Sequence, residues 1–103
     1  PRGDKCQLKI LGDNPAVIDF YATWCGPCKQ LAPTMDALAA EYAGQVVFYK
    51  IDIDKEPDLA SAFNVQSIPT LLFIPLKGEP STTVGLLPKE ELKGTIDSKL
   101  LGK

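Results

Sequence analysis

Histidine is absent from this 103-residue chain, and its three cysteines are too few, and odd in number, for a disulfide scaffold. A structural zinc site asks for four cysteine or histidine ligands, so three cysteines without a histidine set metal binding aside. The net charge of −2 offers no basic face for nucleic acid. No apolar run approaches the roughly 20 residues of a membrane-spanning helix. A Gly-rich nucleotide fingerprint is missing, so neither a flavin nor a nicotinamide site is expected, and no bound cofactor. Repeats and long low-complexity tracts are missing too. What remains is a chain with 45% hydrophobic residues, long enough to build its own core and read as one domain over residues 1–103.

The chemistry concentrates in Trp24-Cys25-Gly26-Pro27-Cys28-Lys29, between a hydrophobic strand pattern and a helical one. On a helix, residues three apart share a face with roughly 5–6 Å between Cβ atoms, so a modest adjustment brings Cys25 and Cys28 to disulfide distance. Cys25 falls at the helix N-terminus, where free N–H groups and the macrodipole favour the thiolate that attacks disulfides. Cys6 stands apart and reads as an ordinary thiol in or near the core.

Before the motif, Cys6 to Leu11 alternates briefly and fits an edge strand or one turn of helix, and Gly12-Asp13-Asn14-Pro15 is a turn. Ala16 to Tyr21 reads as a buried strand carrying one carboxylate, Asp19. Burial there would raise its pKa and suit it to accept a proton near neutrality. Leu31, Met35, Leu38, Ala39 and Tyr42 give the main helix its buried face, with Pro27 in the first turn and Pro33 inside, where a kink is expected. Val46 to Asp52 is a second strand. Its Lys50 reads equally as a residue at an exposed strand end or as a partner of Asp19 across neighbouring strands.

A short helix is expected over Asp54 to Phe63, with Leu59, Ala62 and Phe63 as its apolar face and Asn64 closing it in the left-handed conformation. Leu71 to Ile74 is a third strand, Lys77-Gly78 a turn, and Ser81 to Val84 an antiparallel edge strand. Pro88 opens a last helix, with Glu90 and Glu91 in its first turn and Leu92, Ile96 and Leu100 as its stripe. This order predicts an α/β fold whose mixed sheet is parallel at first and antiparallel later, with helices on both faces.

From about Ala16 to the end, the chain resembles the thioredoxin family: Asp19-Phe20-Tyr21-Ala22-Thr23-Trp24-Cys25-Gly26-Pro27-Cys28-Lys29, then Ile68-Pro69-Thr70, then Gly85. The resemblance implies the thioredoxin fold with four to five strands and a thiol–disulfide oxidoreductase that reduces protein disulfides through a reversible Cys25–Cys28 disulfide. Cys25 would be the nucleophile and Cys28 the resolving thiol, passing through a mixed disulfide. Asp19 would assist deprotonation of Cys28 through water, with Lys50 tuning it. Trp24, Gly26 and Pro27 would shape the face around the nucleophile. Pro69 matches a cis-proline facing the cysteine pair, Ile68 would offer its backbone to an extended target, and Thr70 and Gly85 complete that groove. Electrons would come from a thioredoxin reductase or an equivalent donor.

The family normally carries a further strand and helix before the Asp19 strand, and Pro1 to Asn14 is too short for both. Either a four-stranded core or a fifth strand from Lys5 to Leu11 is expected, with self-association through the shortened side of an otherwise monomeric protein. Tyr21 stands where tryptophan is common, so site packing and fluorescence should differ, and the hairpin holding Pro75 looks about one residue longer than usual. The chain starts at Pro1 without methionine, so a leader would lie out of view; the compartment is read as cytoplasmic, with an extracytoplasmic alternative. Two other functions compete: a non-catalytic interaction module using the Ile68-Pro69 surface, and a dedicated extracytoplasmic oxidoreductase with narrow targets.

Overall fold

A computed structural model describes residues 14–102, so Cys6 and the Lys5 to Leu11 segment lie outside the described residues. Among the described residues four strands form one mixed sheet: β1 (Ala16–Tyr21), β2 (Val47–Asp52), β3 (Thr70–Ile74) and β4 (Ser81–Val84), in the order β2-β1-β3-β4. β1 runs parallel to β2 and antiparallel to β3, and β3 pairs antiparallel with β4. The β3–β4 register sets Thr70 against Val84 and Phe73 against Ser81.

The period-two alternation of β1 feeds two cores. Val17 joins Leu71 and Phe73 against α1 (Gly26–Glu41), through Leu31, Met35, Leu38 and Tyr42, and against Leu92 and Ile96 of the C-terminal helical segment. Ile18 and Phe20 turn the other way, with Ile51 and Leu72, onto Leu59 and Phe63 of the α2 region (Pro57–Ala62). The Phe20 and Phe63 rings lie 5.6 Å apart. α1 runs through Pro33 as one helix of 16 residues.

Two expectations need correction. α2 starts at Pro57 and not at Asp54. Proline takes the first helical turn, where its missing N–H costs nothing, and pushes Glu56 out of the helical region, to φ −126° and ψ 62°. The preceding residues fold instead onto Asp52, whose side chain accepts from the Asp54 N–H at 2.9 Å and whose carbonyl accepts from the Glu56 N–H at 2.9 Å. Ala62 is exposed, so the buried face there is Leu59 and Phe63. Asn64 does close α2 with φ 58°, in a Schellman arrangement: its N–H donates to Ser61 and that of Val65 to Ala60, at 3.0 and 2.9 Å.

The last helix, α3 (Lys89–Thr95), widens into a π turn over Ile96–Leu100, closed by the Leu101 N–H on the Ile96 carbonyl at 3.2 Å. The extra residue per turn lets both Leu100 and Leu101 pack on the core below Ile96. A polar clasp ties this segment to the end of α1. Tyr42 donates its hydroxyl to Asp97 at 2.7 Å, and Glu41 pairs with Lys89 and Lys93.

Burial first, then the Asp97 carboxylate, push the Tyr42 hydroxyl up to about 12. A phenol whose folded pKa is raised contributes stability that is complete below its unfolded value and lost as pH rises through the folded one. Tyr42→Phe should therefore cost about 0.5–1.5 kcal/mol in urea unfolding at pH 8, the worth of one hydrogen bond. The gap to wild type should narrow between pH 10 and 12; a gap independent of pH would remove Tyr42 as the titrating partner.

Candidate functional site

β1 ends at Tyr21 and the chain turns through Ala22 to Trp24 into α1. Cys25 is the N-cap, in extended conformation with φ −88° and ψ 114°, and its sulfur accepts the Cys28 N–H at 3.1 Å. Sulfur thus takes the place that a serine or aspartate oxygen usually holds, satisfying one orphan donor of the first turn. The same turn brings Cys25 and Cys28 to a Cα separation of 5.2 Å, and they are joined by a disulfide. Both cysteines are 5% exposed, while Trp24, Gly26 and Pro27 around them are exposed.

The loop before β3 packs Ile68 against Ala22 and the two cysteines. The Ile68–Pro69 peptide is cis, and the Thr70 hydroxyl donates to the Ser67 carbonyl, closing the loop. Gly85, at φ 99°, donates its N–H to the Pro69 carbonyl at 2.9 Å. Its place therefore rests on a backbone angle that side chains disfavour, since a Cβ added there would meet nothing within 4 Å.

Behind Cys28, Asp19 is 3% exposed, and its Oδ1 has no hydrogen-bond partner among the described residues. A cavity of about 270 Å³ joins it to Cys28, walled also by Tyr21, Ala22, Thr23, Lys29, Ala32 and Lys50. That volume is large enough for water, and Cys25 is not part of its wall. Burial raises the Asp19 carboxyl to about 6, against the opposing pull of Lys50. Lys50 is Asp19's direct neighbour across the β1–β2 ladder; it is exposed, but within the strand and not at its end, and among the described residues it forms no ion pair with Asp19.

The sequence reads Asp54 as a helix start and gives no sign of its contact with Trp24. Its carboxylate accepts the Trp24 indole N–H at 2.8 Å, fixing an exposed ring across 30 residues of chain. The Asp-x-Asp spacing of Asp52 and Asp54 signals the local turn, but nothing in it points to Trp24. Among the described residues no cluster of three or more metal-ligating side chains occurs, and no helix is long and apolar enough to cross a membrane.

The family model for thioredoxin matches residues 4–98. Thioredoxin of Borreliella burgdorferi is 52% identical over 95 residues, which cover 92% of this chain and 80% of that one. The chloroplastic M-type thioredoxin of Spinacia oleracea is 42% identical over 94 residues, covering 91% of this chain and 52% of its own length, so the chain spans only about half of that relative. Among solved structures, the germline-specific thioredoxin Deadhead of Drosophila melanogaster superposes with a TM-score of 0.80 at 32% identity, over 94% of this chain and 91% of that one.

A carboxyl whose folded pKa lies above its ordinary 3.8 costs stability as pH rises from that value, and the cost is complete above about 6. Asp19→Asn should thus gain about 3 kcal/mol on wild type between pH 3.5 and 7.5 in urea unfolding of the oxidised protein. A constant difference across that range would mean that Asp19 is not the buried acid. Asp54→Ala should release the indole and move the Trp24 emission maximum, leaving the unfolding free energy within about 0.5 kcal/mol of wild type. An unchanged emission spectrum would place the ring elsewhere.

Proposed function

The chain belongs to the thioredoxin family and is a thiol–disulfide oxidoreductase, and on that premise we propose that it works mainly as a reductant of protein disulfides, recharged by a thioredoxin reductase or an equivalent dithiol donor. The observation that carries this reading is the asymmetry of the cysteine pair: one sulfur caps the helix N-terminus, and the other is backed by the Asp19 cavity.

In the reduced protein Cys25 is the nucleophile, because the Cys28 N–H and the helix dipole favour its thiolate. It attacks one sulfur of a target disulfide. The target S–S bond breaks, a Cys25–target disulfide forms, and the freed target sulfur takes a proton. Cys28 then passes its proton, through water in the cavity, to the ionised Asp19, and its thiolate attacks the Cys25 sulfur. The second target thiol leaves. Two electrons have moved to the target, and the pair is left as the disulfide seen here.

Target docking uses the exposed Trp24, Gly26 and Pro27 on one side and Ile68, Pro69, Thr70 and Gly85 on the other. Among the described residues neither the N–H nor the carbonyl of Ile68 is taken up by a backbone hydrogen bond, which supports pairing with an extended target segment. Gly26 adds no side chain above the pair. A reductant of this kind fits the cytoplasm, where the cell keeps thiols reduced, acting as a monomer.

Reduction of a disulfide-bonded protein, with dithiothreitol or a thioredoxin reductase as electron source, should accelerate on addition of the protein; no acceleration would sink the proposal. Cys25→Ser should abolish turnover, and Cys28→Ser should accumulate a mixed disulfide at Cys25. Trapping at Cys28 would reverse the two roles. Asp19→Ala should slow release of that mixed disulfide about tenfold or more near neutral pH, with the first attack less affected. Equal slowing of both steps would make Asp19 structural.

A further inference from the structure

The Asp19 cavity contains a contact that the dithiol chemistry leaves unused. Asp19 and Tyr21 alternate onto the same face of β1, and opposite them on β2 stand Lys50 and Asp52. Lys50 faces Asp19 directly and reaches diagonally over the Tyr21 ring, its Nζ 5.3 Å from the ring centroid. That distance lies within the range of a cation–π attraction. Among the described residues Lys50 has no carboxylate within ion-pair distance, although a carboxylate lies on either side of it, Asp19 across the ladder and Asp52 two residues along its own strand. Asp52 is engaged elsewhere, accepting the Asp54 N–H.

An exposed lysine without an ion-pair partner samples many rotamers, and the ring is what the structure supplies to narrow them. Tyr21 lines both the Asp19 cavity and the neighbouring depression that holds Asp52, so it stands where Lys50 would swing from one carboxylate toward the other. We propose that Tyr21 is a positioning residue, whose ring holds the Lys50 ammonium at the mouth of the cavity joining Asp19 to Cys28 and away from Asp52. Tyr21 acts on the resolving step through Lys50 and touches no reacting atom.

The charged and titratable groups around Asp19 can be named element by element. α1 contributes Cys28 and Lys29, β2 contributes Lys50, and β1 contributes Tyr21, while β3 places only Leu71 opposite. Of these, Lys50 is the one that opposes the effect of burial on Asp19. Loss of its fixed position should therefore raise the Asp19 titration midpoint.

The inference rests on Asp19 as the proton acceptor, so the test reads Asp19 directly as well as through turnover. The side-chain carboxyl of Asp19 is titrated by carbon NMR in the oxidised protein, in wild type, Tyr21→Phe, Tyr21→Leu, Lys50→Gln and the double variant Tyr21→Leu/Lys50→Gln. Tyr21→Leu should raise the midpoint by about 0.2–0.5 pH unit, and Tyr21→Phe, which keeps the ring face, should not. On the Lys50→Gln background Tyr21→Leu should add nothing. An equal shift with and without Lys50 would overturn the proposal, as would a Phe variant that behaves like Leu. In wild type the ε-methylene protons of Lys50 should carry an upfield ring-current shift, and free-lysine positions there would overturn it whether or not the variants fold. If Asp19→Asn released a trapped target as fast as wild type, the proton-acceptor role would fail while the Tyr21–Lys50 coupling still stood on the titration.

Discussion

The bond from the Cys28 N–H to the Cys25 sulfur is the contact on which the rest of the site depends. A helix N-terminus leaves donors without partners, and here the partner is a sulfur of the Cys25–Cys28 disulfide itself. That fixes where α1 must begin, and so where β1 must end. α1 is then held from its far side by Leu31, Met35, Leu38 and Tyr42 against β1, β3 and the C-terminal helix. Any slip of α1 along the sheet would move the sulfurs relative to Ile68, which packs on them from the β3 side. The core and the Tyr42–Asp97 clasp therefore serve the chemistry by fixing the origin of one helix.

Burial of Asp19 is the opposing constraint. A carboxylate in a central strand, with one oxygen lacking a partner among the described residues, lowers stability at neutral pH. The surrounding structure tolerates the cost because Ile18, Phe20 and Val17 are fully buried on either side of it. In the proposed reaction, what the cost returns is a proton acceptor whose pKa, raised by burial to about 6, lies near neutrality. A normal carboxylate, near 3.8, would be too weak a base to take a thiol proton efficiently.

Much of this arrangement is legible in the sequence, for reasons that differ by residue. β1, β4 and the Cys25 helix start are written in local patterns: alternation, turn residues, and two cysteines three apart. Asp19 stands out because a charge in an apolar run needs an explanation. Where the reading falls short, the cause is tertiary or a competing local rule. Pro57 sets the start of α2 later than the expected Asp54, because a proline dictates the conformation of the residue before it. The π turn at Ile96 answers to packing of Leu100 and Leu101 on the core, which a 3.6-residue pattern does not encode. Asp54 and Tyr21 act through the Trp24 ring and the Lys50 ammonium, partners distant in sequence or set by strand register.

The register of β1 on β2 also explains why one sulfur of the pair, and not the other, shares a cavity with the buried carboxyl. Asp19 and Lys50 share a rung on the face of the sheet that α1 covers, and the helix residue reaching that cavity is Cys28, one turn in from the cap. Cys25 has already been assigned to the helix end by its capping bond and lies outside the cavity wall. A thiolate stabilised by a dipole needs no base, whereas a thiol inside the first turn gains less from the dipole and needs one. A shift of β2 by one residue would turn Lys50 to the opposite face and set Tyr49 or Ile51 beside Asp19. The carboxyl would then lose the charge that opposes the effect of burial, so the electrostatics of the site rest on strand pairing as much as on the motif itself.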